Sequence, residues 1–124
     1  MNLPFRAEAA YSSNKKVVTT GRGAEYQAFA SATHRLSAAI EGGSFPELAG
    51  ALEQNRKLWS VLADDVLKGG NGLPEQLRAQ IFNLAEFTRR HTHRVLSKTA
   101  TAAPLVEINT AVMRGLRGRK GPVP

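Results

Sequence analysis

The stretch LEQNRKLWSVLADDV, residues 52–66, decides the fold class of this 124-residue chain. Every third or fourth residue in it belongs to one row: Leu52, Asn55, Trp59, Leu62 and Val66. Because an α-helix repeats every 3.6 residues, such a row lies along one face of an amphipathic helix. The row is apolar except for Asn55, so the stretch predicts a buried helix with one polar group inside.

Three further segments repeat this spacing. One helix is predicted from about Gly23 to Gly42-Gly43, a third from Pro74 and a fourth from Pro104. The inward rows of these helices are Tyr26, Phe29, Thr33, Leu36 and Ile40; Leu77, Ile81, Leu84, Thr88, His91 and Val95; and Leu105, Ile108, Val112 and Leu116, with Asn109 at the border of the last row. Short loops between such helices favour antiparallel neighbours in a bundle.

The predicted fold class is therefore all-α, a compact bundle of about four amphipathic helices occupying residues 22–117. Ser44 and Glu47 have the spacing of a capping box and predict the start of the second helix. Residues 1–21 are predicted to be a flexible N-terminal arm, in which Val17 and Val18 form at most a brief extended piece. Residues 118–124 are predicted to be a basic, disordered tail.

Composition restricts the classes of protein to consider. The chain has no cysteine, which excludes disulfides, thiolate catalysis and cysteine-based metal sites. It has no run of about 20 apolar residues that would span a membrane. Its first residues lack the apolar core of a signal peptide, so a cytoplasmic location is expected.

No combination of residues in the sequence indicates an active site. The glycines do not form a phosphate-binding loop between a strand and a helix. His91 and His93 are two residues apart, so on one helix they point to different sides and cannot share a metal ion. We therefore expect no catalytic residues, no metal and no cofactor.

Positive charge is concentrated in the second half of the chain. Residues 71–124 hold nine Lys or Arg against three Asp or Glu, whereas residues 1–70 are nearly balanced. Arg89, Arg90 and Arg94 crowd the end of the third helix, where they either complement the helix dipole or bind an anion such as RNA. Aromatic residues for base stacking lie on the inward rows instead, which favours the first interpretation.

Four polar residues lie on or beside the apolar rows: Asn55, Thr88, His91 and Asn109. A buried amide without a partner costs about 1–3 kcal/mol, so these groups are expected to bond to one another or to the backbone. The favoured interpretation is a structural polar core that sets the helix register. The alternative is that one row lines a groove for a partner helix, with Trp59 as its anchor.

Several segments, in this order and at these spacings, resemble the FlaF family of small flagellar biosynthesis regulators from α-proteobacteria. They are EYQAFA at 25–30, LEQNRKLWSVLADDV at 52–66, NGLPEQLRAQI at 71–81, FTRRHT at 87–92 and LVEINTAVMRGL at 105–116. The resemblance implies a non-enzymatic, cytoplasmic protein that binds flagellin as a secretion chaperone. It also implies a functional link to FlbT, a regulator of flagellin mRNA translation.

This resemblance leads to two hypotheses about the site. In the first, Arg56, Leu58, Trp59 and Leu62 contribute to a groove that covers an amphipathic flagellin helix. In the second, the basic third helix, with Arg89, Arg90 and Arg94, binds flagellin mRNA directly together with the basic tail. A third possibility is a scaffold that acts only through FlbT and does not contact flagellin. The basic tail has no counterpart in the resemblance.

Overall fold

A computed structural model describes residues 15–68 and 72–118 of the chain, with side chains from Tyr26 to Gly115. It contains the helices α1 (Lys15–Gly42), α2 (Phe45–Leu67), α3 (Glu75–Leu96) and α4 (Ala103–Gly118). No strand occurs in this part of the chain. The prediction of an all-α bundle of four helices is confirmed. None of the described helices is both long and apolar enough to cross a membrane.

The first helix begins earlier than the sequence pattern suggested. It starts at Lys15 instead of near Gly23, so Val17 and Val18 are helical and the prediction of an extended piece is wrong. A glycine inside a helix costs only about 1 kcal/mol relative to alanine, and an established helix gains a hydrogen bond with each added residue. Gly21 and Gly23 therefore do not stop it. The remainder of the predicted arm, residues 1–14, and residues 119–124 of the predicted tail lie outside the described residues.

The second helix begins with the predicted capping box. The Ser44 hydroxyl accepts a hydrogen bond from the Glu47 amide at 3.2 Å, and the Glu47 carboxylate accepts one from the Ser44 amide at 2.7 Å. Two backbone donors that the helix leaves unpaired are thus satisfied. This cap fixes where α2 starts, only two residues after α1 ends.

The third helix ends without a glycine. Lys98 adopts a positive φ of 66°, a left-handed conformation that glycine usually supplies. The Thr99 amide donates to the Arg94 carbonyl at 2.9 Å, as in a Schellman motif. The Lys98 ammonium lies 4.7 Å from the centre of the Phe45 ring, a cation–π contact that ties this turn to the start of α2.

The helices pack as an antiparallel ring in the order α1, α2, α3, α4. Helix α2 contacts α1 and α3, and α4 rests mainly on α1 with a smaller contact to α3. Phe29 packs edge-on against Trp59 at 5.5 Å, and Arg35 donates to Gln54 at 2.8 Å. Residue numbers therefore rise along α1 as they fall along α2. On this ring α2 and α4 are diagonal neighbours.

The core consists of two apolar clusters along the bundle. One is built around Leu36, Leu52 and Leu105. The other is built around Phe29 and Trp59. On each helix a polar residue comes between the residues of the two clusters, which defines a polar layer of Thr33, Asn55, Thr88, His91, Thr92 and Asn109.

Asn109 lies at the centre of its helix face and not at the border where the sequence placed it. Its side chain is 0% exposed, like that of Leu105, whereas Ile108 and Val112 are half-buried. On α1, Ala39 is buried in place of the predicted Ile40, which is 44% exposed. In both helices the neighbouring helices decide which residues are buried, because apolar residues occur on more than one row of the helix.

Candidate functional site

A chain of hydrogen bonds crosses the bundle diagonal from α2 to α4. The Trp59 indole N–H donates to Asn109 Oδ1 at 2.9 Å, and Asn109 Nδ2 donates to Asn55 Oδ1 at 2.8 Å. All three side chains are at most 1% exposed. Hydrogen bonds need a defined distance and direction, so they fix the axial position of α4 against α2 more sharply than apolar contacts do.

The other polar core residues act through the backbone. The His91 ring stacks on Phe87 at 5.2 Å, and its Nε2 lies 2.7 Å from the Thr101 carbonyl oxygen. Nε2–H is therefore the donor, and the bond holds the turn before α4 against α3. The Thr92 hydroxyl donates to the Thr88 carbonyl at 2.7 Å within α3.

Four polar side-chain atoms in this layer are buried without a hydrogen-bond partner in the described part of the chain. They are Thr33 Oγ1, Asn55 Nδ2, Thr88 Oγ1 and His91 Nδ1. Unpaired buried groups are destabilising, and an unusual number of them in one place calls for an explanation. One of these groups, the hydroxyl of Thr88, belongs to a residue that also borders a surface cleft.

This α2–α3 cleft has a volume of about 210 Å³. It is lined by Arg56, Trp59, Ser60, Ala63, Asp64, Leu67, Phe82, Ala85, Glu86, Thr88 and Arg89. The lining of α2 follows a second row, Arg56, Ser60, Ala63 and Leu67, which runs beside the inward row at the same spacing of four, three and four residues. The side chain of Leu67 is 65% exposed although it is apolar.

Charged side chains form the rim of the cleft. Arg56 donates to Glu53 through both Nε and Nη2, at 2.9 and 2.7 Å, and Arg89 donates to Glu86 at 3.1 Å. The hydrogen bond from Arg56 lowers the pKa of the Glu53 carboxyl below its usual range, and the same pair raises the pKa of Arg56. Exposed pairs of this kind contribute little to stability, so both arginines can exchange partners at small cost.

The predicted groove residues divide into two groups. Arg56 and Trp59 line the cleft, Arg56 at the exposed rim and Trp59 in the buried wall. Leu62 is buried and Leu58 is half-buried, and both pack in the cluster around Trp59. These two leucines support the cleft from inside the bundle.

The predicted basic set is also divided. Arg89 lines the cleft and pairs with Glu86, whereas Arg90 and Arg94 are exposed away from it. Leu67 and Phe82 line the cleft but were not predicted as site residues. The signal for Leu67 was the second row on α2, which is too mixed in polarity to stand out as an apolar face.

Among the described residues, no three His, Asp or Glu side chains are grouped so that they could hold a metal ion. The cleft has an apolar floor, one buried hydroxyl and charges of both signs at its edges.

A comparison with protein families gives this geometry a context. The family model described as flagellar protein FlaF matches residues 7–116. The chain belongs to the FlaF family. The matched range includes the whole of α2 and α3, so the cleft lies on the part of the chain that carries the family likeness.

Membership of this family makes the chain a flagellar protein, and the resemblance noted from the sequence segments is confirmed. Neither a curated protein nor a solved structure matches the chain.

Proposed function

We propose that this FlaF-family protein is a cytoplasmic, non-enzymatic chaperone that binds flagellin and supports its synthesis and export together with FlbT. The observation that carries the proposal is the α2–α3 cleft on a chain of this family. It is a concave surface with an apolar floor between two helices, the usual form of a groove that receives an amphipathic helix.

Flagellin presents a physical need for such a surface. Its terminal segments are amphipathic helices that bury their apolar faces only in the assembled filament. In the cytoplasm an exposed apolar face promotes premature association. A cleft that covers part of this face, with a charged rim that keeps the contact reversible, would protect the monomer until export.

The burial of Trp59 changes the part assigned to it in the binding hypothesis. Its indole N–H is committed to Asn109 inside the bundle, so Trp59 offers only the apolar wall of the cleft to a partner. Contacts at the rim then come from Arg56 and Leu67, which are exposed without any opening of the bundle.

The proposal is tested by a pull-down of purified flagellin monomer on the purified protein, with and without FlbT. We expect a stoichiometric complex without FlbT, visible by size-exclusion chromatography. Unrelated soluble proteins of similar charge serve as controls. If flagellin is retained only when FlbT is present, the protein acts through FlbT and the chaperone proposal is wrong.

A second candidate function is direct binding of flagellin mRNA. The observation in its favour is that Arg90 and Arg94 are exposed on consecutive turns of α3 and form no ion pair with any described residue. Binding through such groups should fall steeply with salt, because it releases counterions from the phosphates.

A gel shift with the flagellin leader RNA at two salt concentrations tests this candidate. Neutralising Arg90 and Arg94 together should abolish the shift, whereas neutralising Arg89, which is already paired with Glu86, should have a smaller effect. The absence of any shift with the parent protein removes the candidate.

A further inference from the structure

We propose that the α2–α3 cleft receives one bulky, mainly apolar side chain from a partner helix and that the charged rim fixes the direction of that helix. Only the identity of the partner rests on the proposed function. The chemistry of the pocket follows from the described residues of this chain.

The size of the cleft selects the kind of occupant. Sites for small molecules and cofactors usually have volumes of about 300–1,000 Å³. A volume of 210 Å³ is below that range and suits one inserted side chain. Two antiparallel helices form the walls, and the described residues contain no strand edge that could pair with an extended peptide. A helix that lays one face between α2 and α3 is the partner that fits.

The floor of the cleft specifies the inserted side chain. Trp59, Ala63, Phe82 and Ala85 make it apolar. Thr88 closes the base of the floor with a side chain that is 1% exposed, so its unpartnered hydroxyl is out of reach of an occupant. The occupant is therefore specified by the apolar part of the floor. Methionine suits this floor, because its flexible apolar thioether side chain adapts to irregular spaces.

The rim gives the cleft a direction. Arg56 and Arg89 lie at one end, because α2 and α3 run antiparallel, and Asp64 lies towards the other end. Glu86 shares the first end with its partner Arg89, and Glu53 pairs with Arg56, so an acidic residue of the partner exchanges with these exposed pairs at small cost. Arg56 and Asp64 are eight positions apart on α2, which is about 12 Å along a helix. A partner helix with an acidic residue at one end and a basic residue about eight positions away would match both charges. The inserted methionine would lie midway between them, about four positions from each.

Synthetic helical peptides provide a direct probe. The first is an alanine- and glutamine-based peptide of about 15 residues with Glu, Met and Lys at positions i, i+4 and i+8. In the second peptide Glu and Lys are exchanged, and in the third Met is replaced by alanine. Binding to the full chain is measured by ¹⁵N–¹H NMR titration. Fluorescence of Trp59, the only tryptophan, gives a second signal from the cleft wall.

The first peptide should shift the amides of the residues that line the cleft. The alanine peptide should bind about tenfold more weakly, since burying an apolar side chain contributes about 1.5–3 kcal/mol. The peptide with exchanged charges should also bind more weakly. Equal binding of all three peptides, or shifts elsewhere on the bundle, would overturn the inference.

Variants of the protein test the same pocket with matched controls. Leu67→Ser removes an exposed apolar wall of the cleft, whereas Val61→Ser changes another exposed apolar residue on α2 that does not line it. Ala63→Leu fills the cleft, and Ala79→Leu adds the same atoms to the exposed face of α3. Leu67→Ser and Ala63→Leu should each weaken the first peptide about tenfold, and the two controls should leave it unchanged.

Thr88→Val tests the buried hydroxyl. It keeps the shape of the side chain and removes an unpartnered group, so the fold should remain intact by circular dichroism. Binding of the methionine peptide should remain unchanged, because the hydroxyl cannot be reached from the cleft. Weaker binding would show that the hydroxyl is exposed to the occupant and would contradict an apolar floor.

Repeating the binding with flagellin separates this inference from the proposed function. If flagellin binds the parent protein and Leu67→Ser and Val61→Ser bind it equally, the cleft inference is wrong and the chaperone proposal stands. If flagellin does not bind but the peptide binds with the expected preferences, the cleft inference stands and flagellin is not its partner.

Discussion

Replacing Asn109 by alanine should destabilise the bundle more than replacing Asn55, although both are buried asparagines in the same hydrogen-bonded chain. Asn109 is the middle member: it accepts from the Trp59 indole at 2.9 Å and donates to Asn55 at 2.8 Å. Asn109→Ala therefore leaves two buried groups unpaired, the indole N–H and the Asn55 oxygen.

The magnitude follows from the number of unpaired groups. Each buried group left without a partner costs about 1–3 kcal/mol, so the two groups together lower the free energy of unfolding by about 2–6 kcal/mol. Asn55→Ala leaves only one new unpaired group, on Asn109, and it removes the Asn55 amide nitrogen that already lacks a partner among the described residues. Both substitutions delete the same atoms, so their cavity terms largely cancel in the comparison. The expected difference is at least about 1 kcal/mol.

Urea unfolding followed by far-UV circular dichroism measures the difference. Trp59 fluorescence should report the same transition in the parent and in Asn55→Ala, because both retain the bond from the indole to Asn109. Asn83→Ala on the exposed face of α3 is the matched control and should change stability by less than about 0.5 kcal/mol. If Asn55→Ala is as destabilising as Asn109→Ala at equal m-values, the hydrogen-bond chain does not carry the energy assigned to it.

Three further predictions concern the ends and the surface of α2. Ser44→Ala removes the N-cap and should lower the free energy of unfolding by about 0.5–2 kcal/mol in urea titrations. An unchanged free energy of unfolding would show that the cap does not stabilise the protein. Gly43→Ala should lower the melting temperature, because the added Cβ would lie 2.9 Å from the backbone of α1. Gly50→Ala should be neutral or stabilising, because there the Cβ meets only the tip of a flexible arginine side chain. The reverse order of the two melting temperatures would contradict this geometry. The pKa of Glu53 is lowered, so the small stabilising effect of its pair with Arg56 is present at neutral pH and is lost as pH falls through that pKa. An NMR titration of the Glu53 carboxyl should show a low midpoint, and Arg56→Ala should raise it. An unchanged midpoint in Arg56→Ala would refute the pairing.

Local patterns in the sequence were sufficient for the helices and for part of the polar core. The row through Trp59, the capping box at Ser44 and the glycines after α1 are local signals, and each depends on residues within a few positions of one another. The presence of Asn55 and Thr88 on apolar rows also predicted buried polar groups, because a helix face is a property of spacing alone.

Other features were missed because their cause is not local. The start of α1 was predicted too late. The glycines lower the local helix propensity, but extending a helix that is already formed by its packed part adds a hydrogen bond for each residue and outweighs this cost. The end of α3 at Lys98 has no glycine signal, and its contact with Phe45 joins residues far apart in the chain.

The amino-acid sequence by itself determined that this chain forms amphipathic helices, that polar residues interrupt their apolar rows and which family the chain belongs to. Tertiary structure alone decided that Asn109 is the central member of the polar chain and that a cleft opens beside Trp59. A hydrogen bond across the bundle and a cleft between α2 and α3 depend on the separation and axial position of whole helices. Those quantities arise from the packing of all four helices together, and no single stretch of sequence contains them.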